Sequence, residues 1–237
     1  MRTRTALLLL LALLPGARAA AQSVPSPIRY IAETQAVNVY GGYLFTTPGI
    51  AISDSVTVDF GPQDAPVFGA RYQVRVGGPF NVEAGLAYSP ARRKVFAAAR
   101  APADTTQITP DDTGLTTAAQ IMMLDLGLRF SFTGPRTWHG LAPYAVLQGG
   151  FVTDLGGVRA EEKDIPERER FDFGPSFAVG AHLGTDFYPS RTVSIRLELQ
   201  NRLWRMESPE GFFPRGRVPE SEWNATTGVV AGASIHF

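Results

Sequence analysis

The histidines are the first residues to test for catalysis, because imidazole is the commonest general base near neutral pH. The chain has three. His182 falls on one face of a predicted strand with Ser176 and Asp186, residue types that can act as nucleophile and orienting acid. Positions four apart on a strand are about 13 Å apart, so His182 cannot contact Asp186. His139 lies in a predicted turn, and His236 precedes the last residue. We therefore predict no catalytic residues and no enzyme.

Other chemistry-bearing motifs are missing from the sequence. There is no Gly-rich phosphate loop and no nucleotide motif. Cysteine is absent, which excludes cysteine metal clusters and disulfides. The 22 basic and 22 acidic residues balance and form no basic tract, as a nucleic-acid-binding protein would have. We predict no cofactor, no metal and no nucleic-acid partner.

Eight segments alternate apolar and polar residues with period two, which is typical of strands with two different faces. Each has room for the nine to eleven residues that a tilted strand needs to cross a bilayer. In residues 143–153 the pattern does not say which face is apolar. The segments are residues 37–45, 68–76, 80–89, 122–132, 143–153, 177–187, 193–203 and 223–237.

The connections alternate between long and short. Outer-membrane barrels have short periplasmic turns and long external loops, so an even strand count places both termini in the periplasm. Residues 104–117 and 158–170 are polar and turn-rich, as expected of exposed loops. The long connections are residues 47–66, 90–118, 154–170 and 205–222, and the short ones are 77–79, 133–142 and 188–192.

Aromatic residues cluster near both ends of the predicted strands, as they do at the two interfaces of a bilayer. Those near the long loops are Phe45, Phe68, Tyr88, Phe151, Phe177, Trp204 and Trp223. Those near the short turns are Phe80, Phe130, Phe132, Phe187, Tyr188 and Phe237.

The first residues have the order of a secretory leader, with arginines, an apolar run at 6–14 and small residues at 19–21. About nine apolar residues are too few for a membrane anchor, and the lack of cysteine argues against a lipoprotein. We predict a cleaved signal peptide at 1–21, a periplasmic segment at 22–35 and one barrel domain at 36–237. The predicted fold is an all-β transmembrane antiparallel up-and-down barrel of eight strands with both termini periplasmic.

The C-terminal residues carry a resemblance to a known superfamily. The tail GVVAGASIHF places Val229, Ala231, Ala233, Ile235 and Phe237 on one face and resembles the signal read by the outer-membrane insertion machinery. The segment FGPSFAVGAHLGTDFYPSRTVSIRLELQ resembles the penultimate hairpin of small outer-membrane barrels of the outer-membrane protein A, W and X type. The resemblance implies a Gram-negative outer membrane, with its lipid, lipopolysaccharide and insertion machinery as partners. The sequence departs from the protein A branch in stopping at Phe237, so we expect no periplasmic peptidoglycan-binding domain, and we expect a monomer.

The polar faces predict a charged barrel interior. An eight-stranded barrel is just wide enough to be filled by side chains, and an unpaired buried charge costs several kcal/mol. Arg71 and Arg75 lie on the strand hairpinned to that of Glu83, which predicts that they pair with it. The interior is then either an ion-pair plug or a narrow polar path for small solutes. The predicted interior residues are Arg71, Arg75, Glu83, Asp125, Arg129, Asp186, Arg196, Glu198 and Arg202.

The sequence leaves several functions open. The favoured one is a non-enzymatic outer-membrane barrel with a structural, surface-interaction or minor transport role. One alternative is a soluble periplasmic lipocalin-like barrel with its apolar faces turned inward around a ligand. Another is a lipid A-modifying enzyme acting through His182. The third long loop is either a solvated surface or a contact for lipopolysaccharide phosphates and divalent cations. Its charged residues are Arg159, Glu161, Glu162, Lys163, Asp164, Glu167, Arg168, Glu169 and Arg170.

Overall fold

Eight antiparallel strands form a closed ring in the computed structural model. Each strand pairs with the next along the chain, and the last pairs with the first, so the predicted barrel is confirmed. The structure describes residues 26–47, 51–53, 56–99, 109–157, 159–171, 173–212 and 221–237, so the predicted signal peptide lies outside the described residues. The barrel strands are β1 (Gln35–Thr47), β2 (Ala65–Gly77), β3 (Phe80–Ala99), β4 (Thr109–Ser131), β5 (Leu141–Asp154), β6 (Ser176–Phe187), β7 (Val193–Glu207) and β8 (Ser221–His236).

The ring closes at the two ends of the barrel sequence. Phe237 N–H donates to the Gln35 carbonyl at 2.9 Å, and Gln35 N–H donates to the Phe237 carbonyl at 3.0 Å. Closure leaves neither β1 nor β8 with a free edge, which satisfies backbone groups that lipid cannot hydrogen-bond. In the part of the chain that the structure describes, no helix has the length and apolarity needed to cross a membrane.

The apolar faces of the strands point outward. Along β7 the exposed residues alternate strictly with buried ones, and Leu197 is 56% exposed while the neighbouring Arg196 is 1% exposed. On β5, which the sequence left unassigned, Tyr144 points inward and Leu147 outward. The lipocalin-like alternative required apolar faces turned inward and is therefore wrong. The residues of the predicted C-terminal signal lie on the outer face of β8, and their role in insertion stays a prediction: Val229, Ala231, Ala233, Ile235 and Phe237.

Two aromatic belts border the outer surface, with two corrections. Trp204 is buried inside the barrel, because it continues the inward-facing positions of β7 that include Arg202. Tyr188 is also buried, because it follows the end of β6 and packs beneath the barrel with Ile31 and Ala142. The other predicted belt residues are exposed: Phe45, Phe68, Tyr88, Phe151, Phe177 and Trp223 at one end, and Phe80, Phe130, Phe132, Phe187 and Phe237 at the other.

The predicted second long loop is mostly strand. The β3–β4 hairpin continues from the Pro90–Gln120 pair to the Ala99–Thr109 pair, so the loop prediction is wrong for residues 90–99 and 109–118. Residues 100–108 of the predicted loop lie outside the described residues. The hairpin persists because Ala91, Arg93 and Val95 keep the inward alternation of β3 and are buried. The remaining elements are short strands and single 3-10 turns. They are Ile28–Tyr30, Ala51–Ser53, Val56–Val58, Arg136–Trp138, Ala160–Glu162, Glu167–Glu169 and Glu210–Phe212.

Inward-facing glycines make room for a large aromatic ring. A Cβ atom at Gly184 would lie 2.5 Å from the Tyr144 hydroxyl oxygen and 2.8 Å from the Leu197 carbonyl oxygen. We expect Gly184→Ala to lower the free energy of unfolding by about 1–3 kcal/mol, as overpacking does in well-packed cores. Gly77→Ala is the matched control, because its Cβ would have no neighbour within 4 Å. Urea unfolding in lipid vesicles measures the free energy of unfolding of both variants. Equal unfolding midpoints for Gly184→Ala and Gly77→Ala would contradict the prediction.

Candidate functional site

Five strands contribute residues near their short-turn ends to an ion cluster that crosses the barrel interior, named the central cluster. Asp186 accepts hydrogen bonds from Arg129 Nη2 at 2.6 Å and from Arg196 Nε at 2.9 Å. Glu83 Oε1 lies 3.4 Å and 3.2 Å from the same two guanidinium groups. Gln73 Oε1 accepts from both arginines, at 3.0 and 2.9 Å. The cluster therefore joins β2, β3, β4, β6 and β7 across the interior.

A second cluster surrounds Glu198. Its carboxylate lies 2.8 Å from Arg71 Nη1 and accepts hydrogen bonds from the Tyr144 hydroxyl at 2.6 Å and from Gln200 at 2.8 Å. Arg129 of the central cluster lies 3.6 Å from the centroid of the Tyr144 ring. Tyr144 therefore connects the two clusters through its hydroxyl group and its ring face.

The predicted partners of Glu83 are wrong. Across the β2–β3 ladder Glu83 faces Gln73, while Arg71 faces Gly85. Arg71 reaches Glu198 on β7 instead, because the interior is narrow enough for an arginine to cross it. Arg75 lies at the end of β2 and donates to the Ile31 carbonyl at 2.9 Å.

An ion pair between Arg202 and Asp125 forms a third charged group in the interior. Arg202 Nη2 donates to Asp125 at 2.6 Å. The three groups together contain four arginines and four carboxylates. Pairing of this kind compensates charges taken out of water, and breaking it leaves an unpaired buried charge. Those residues are Arg71, Arg129, Arg196, Arg202, Glu83, Asp125, Asp186 and Glu198.

His182 lies within the second cluster and not in a triad. Its Nδ1 lies 3.1 Å from Glu198 Oε1, and the side chain is fully buried. Ser176 lies at the long-loop end of β6, where its hydroxyl donates to the Arg205 carbonyl. His236 Nε2 lies 2.8 Å from the Ser194 hydroxyl oxygen. These contacts place His182 in the packed interior, away from any surface that a substrate could reach directly.

An aromatic cluster fills the long-loop end of the barrel. The rings of Phe60 and Phe96 lie 5.1 Å apart edge to face, and Phe60 stacks on Phe212 at 5.6 Å. Phe173 packs against Trp204, with ring centroids 6.4 Å apart. These rings come from connections as well as strands. The interior is thus filled at two levels, ionic from the short-turn end to the middle and apolar at the long-loop end.

The third long loop is fastened over this apolar level. Arg93 Nη2 and Glu162 Oε1 form a buried ion pair of 2.6 Å, and the Arg93 guanidinium lies 5.0 Å from the Phe171 ring centroid. A cavity of about 250 Å³ lies beside this pair, lined by residues that include Asp154. Glu162 was predicted only as a loop charge, and Arg93 was not among the predicted site residues, although the inward alternation of β3 was a signal for it.

The neighbouring carboxylate of the same loop is exposed. The Thr117 hydroxyl donates to Glu161 Oε2 at 3.1 Å. A hydrogen bond from its own backbone N–H, followed by the one from Thr117, lowers the pKa of Glu161. Glu161 and Glu162 thus differ in burial and in partner, which makes them a matched pair for experiment.

Comparison with known proteins identifies the architecture. No protein-family model and no curated protein matches the chain. Neisserial surface protein A aligns with a TM-score of 0.51 and 10% identity, over 86% of this chain and 97% of that chain. The fold is that of the small eight-stranded outer-membrane β-barrels. This barrel is also similar to OprG from Pseudomonas aeruginosa, with a TM-score of 0.48, 13% identity and coverage of 86% and 97%. The outer membrane protein W of E. coli aligns with a TM-score of 0.44 and 13% identity, over 87% of this chain and 100% of that chain.

Proposed function

We propose that this chain is a non-enzymatic, non-conducting barrel of a bacterial outer membrane that holds a rigid set of loops at the cell surface. The observation that carries the proposal is the filling of the interior at two levels. The paired charges of the central cluster and the aromatic cluster follow one another along the barrel axis. A path for solutes would require both the ion pairs and the packed aromatic rings to move apart.

The transport alternative has less support than the plug. Moving Arg129 or Arg196 away from Asp186 would leave a buried charge without its partner, which costs about 3–5 kcal/mol. The apolar level adds a second barrier, because narrow hydrophobic constrictions exclude water and ions. The proposed role is therefore structural or in surface contact.

The long-loop end has features of a surface contact. The β3–β4 hairpin extends past the aromatic belt, and the third loop is fixed on it by the Arg93–Glu162 pair. The exposed Arg205 on β7 lies opposite Trp223 of the belt and lines a surface pocket with Phe177. A cation beside belt aromatics suits contact with a lipopolysaccharide phosphate. We propose that this end faces the exterior, that both termini face the periplasm, and that the barrel is monomeric.

Planar-bilayer recording tests the proposal. We expect purified, refolded protein to give no discrete conductance steps, because both levels of the interior stay closed. A conducting porin under the same conditions is the positive control. A heat-modifiability gel shows that the sample is folded, since a folded barrel migrates differently before boiling. Reproducible single-channel steps from the folded protein would contradict the proposal and favour the polar path.

A further inference from the structure

The segment before β1 forms a ribbon at the short-turn end of the barrel. Ile28–Tyr30 pairs antiparallel with Arg136–Trp138, in the register Ile28–Trp138 and Tyr30–Arg136. Trp138 also pairs with Leu141, the first residue of β5. The two-stranded ribbon is therefore continuous with the barrel wall.

The inner face of the ribbon is fixed by specific contacts. Arg29 Nη2 donates to the carbonyls of Tyr188 and Ser190, at 3.0 and 3.1 Å. Thr137, opposite Arg29 in the register, is buried. Ile31 packs with Tyr188, and burial raises the pKa of Tyr188 to about 12, with a further contribution from the Asp186 carboxylate. These contacts hold the ribbon in one orientation.

The outer face of the ribbon is apolar and exposed. Ile28, Tyr30 and Trp138 are 52%, 63% and 59% exposed. Directly opposed residues of an antiparallel pair project to the same face of the sheet. Trp138 pairs with Leu141 and therefore projects to the same face, which is the lipid-facing surface of β5. Ile28 pairs with Trp138 and lies on this face as well. Arg136 is exposed on the same face, opposite Tyr30.

We propose that this ribbon face binds the phospholipid headgroup layer of the leaflet at the short-turn end. Trp138, Tyr30 and Ile28 lie at the boundary of the hydrocarbon, where amphipathic rings are favoured, and Arg136 contacts a lipid phosphate. Continuity with the lipid-facing surface of β5 favours lipid over a protein partner. Three apolar side chains also provide far less than the roughly 800 Å² per partner of a standard protein interface.

Tryptophan fluorescence in bilayers with brominated phospholipids tests this placement. The chain has three tryptophans, so the W204F/W223F variant reports on Trp138 alone. We expect strong quenching of Trp138 by lipids brominated near the headgroup and weaker quenching by lipids brominated near the chain end. W138F/W223F leaves the buried Trp204, which lipid should not quench. W138F/W204F leaves Trp223, a positive control in the opposite belt.

The contact of Arg136 with a lipid phosphate is tested by comparing an anionic with a zwitterionic lipid. Both headgroups carry a phosphate, but the choline cation of phosphatidylcholine competes with Arg136 for it, whereas phosphatidylglycerol has no such cation. In mixed bilayers of the two lipids in which only one is brominated, we therefore expect brominated phosphatidylglycerol to quench Trp138 more strongly than brominated phosphatidylcholine, and Arg136→Gln to remove the difference. Equal quenching by the two lipids before that substitution would overturn the phosphate contact. Quenching of Trp138 by aqueous iodide without quenching by brominated lipid would overturn the lipid placement and assign the face to water or a protein. A heat-modifiability gel confirms that each variant is folded.

Discussion

Replacing Asp186 with alanine is expected to lower the free energy of unfolding by about 3–5 kcal/mol. The carboxylate is fully buried and pairs with two arginines, Arg129 at 2.6 Å and Arg196 at 2.9 Å. Its removal leaves two buried guanidinium groups to share Glu83, whose oxygen is 3.2–3.4 Å from them. Equilibrium urea unfolding in phospholipid vesicles measures the loss.

An exposed ion pair supplies the matched control for this variant. Asp112 on β4 lies 3.0 Å from Lys94, and both side chains are over 40% exposed. We expect Asp112→Ala to lower the free energy of unfolding by less than about 1 kcal/mol, because solvent screens such pairs. A loss in Asp186→Ala no greater than in Asp112→Ala would show that the central cluster contributes little to the folded state.

The faces of the strands follow from the sequence because side chains alternate with period two. Arg196, Glu198 and Arg202 could be placed inside by counting along β7, and the same counting places Trp204 there. Ion-pair partners could not be predicted in this way. The ladder specifies neighbours such as Gln73 and Glu83, whereas a contact such as Arg71–Glu198 crosses the lumen. Such contacts depend on strand stagger and side-chain reach together.

The closure of the long-loop end was harder to predict for a different reason. Phe60 and Phe212 lie in connections, where no periodicity predicts orientation, and they meet only after the ring has formed. The extension of the β3–β4 hairpin was hidden by threonines and aspartates that are also typical of loops. The inward Arg93 was the available signal, but its partner Glu162 is 69 residues away. Burial of that pair could not be read from local composition.

Glu162→Ala is expected to release the third long loop. The substitution removes the partner of Arg93 and leaves a buried guanidinium uncompensated, so local opening should become on the order of 100-fold more populated. Limited trypsin digestion of the reconstituted protein measures this opening. Mass spectrometry should show faster cleavage after Lys163 and Arg168, which are both exposed in this loop.

Glu161→Ala is the control for this prediction, because it removes a neighbouring carboxylate whose partner is the Thr117 hydroxyl. We expect its cleavage rate to stay within about threefold of the parent rate, since exposed contacts contribute little. The double variant Arg93→Met/Glu162→Ala should be cleaved more slowly than Glu162→Ala, because it has no unpaired buried charge. Equal cleavage of the Glu161 and Glu162 variants would mean that the loop is held mainly by the Phe171 and Phe173 rings. In that case the apolar level, and not the ion pair, would be what closes the barrel at this end.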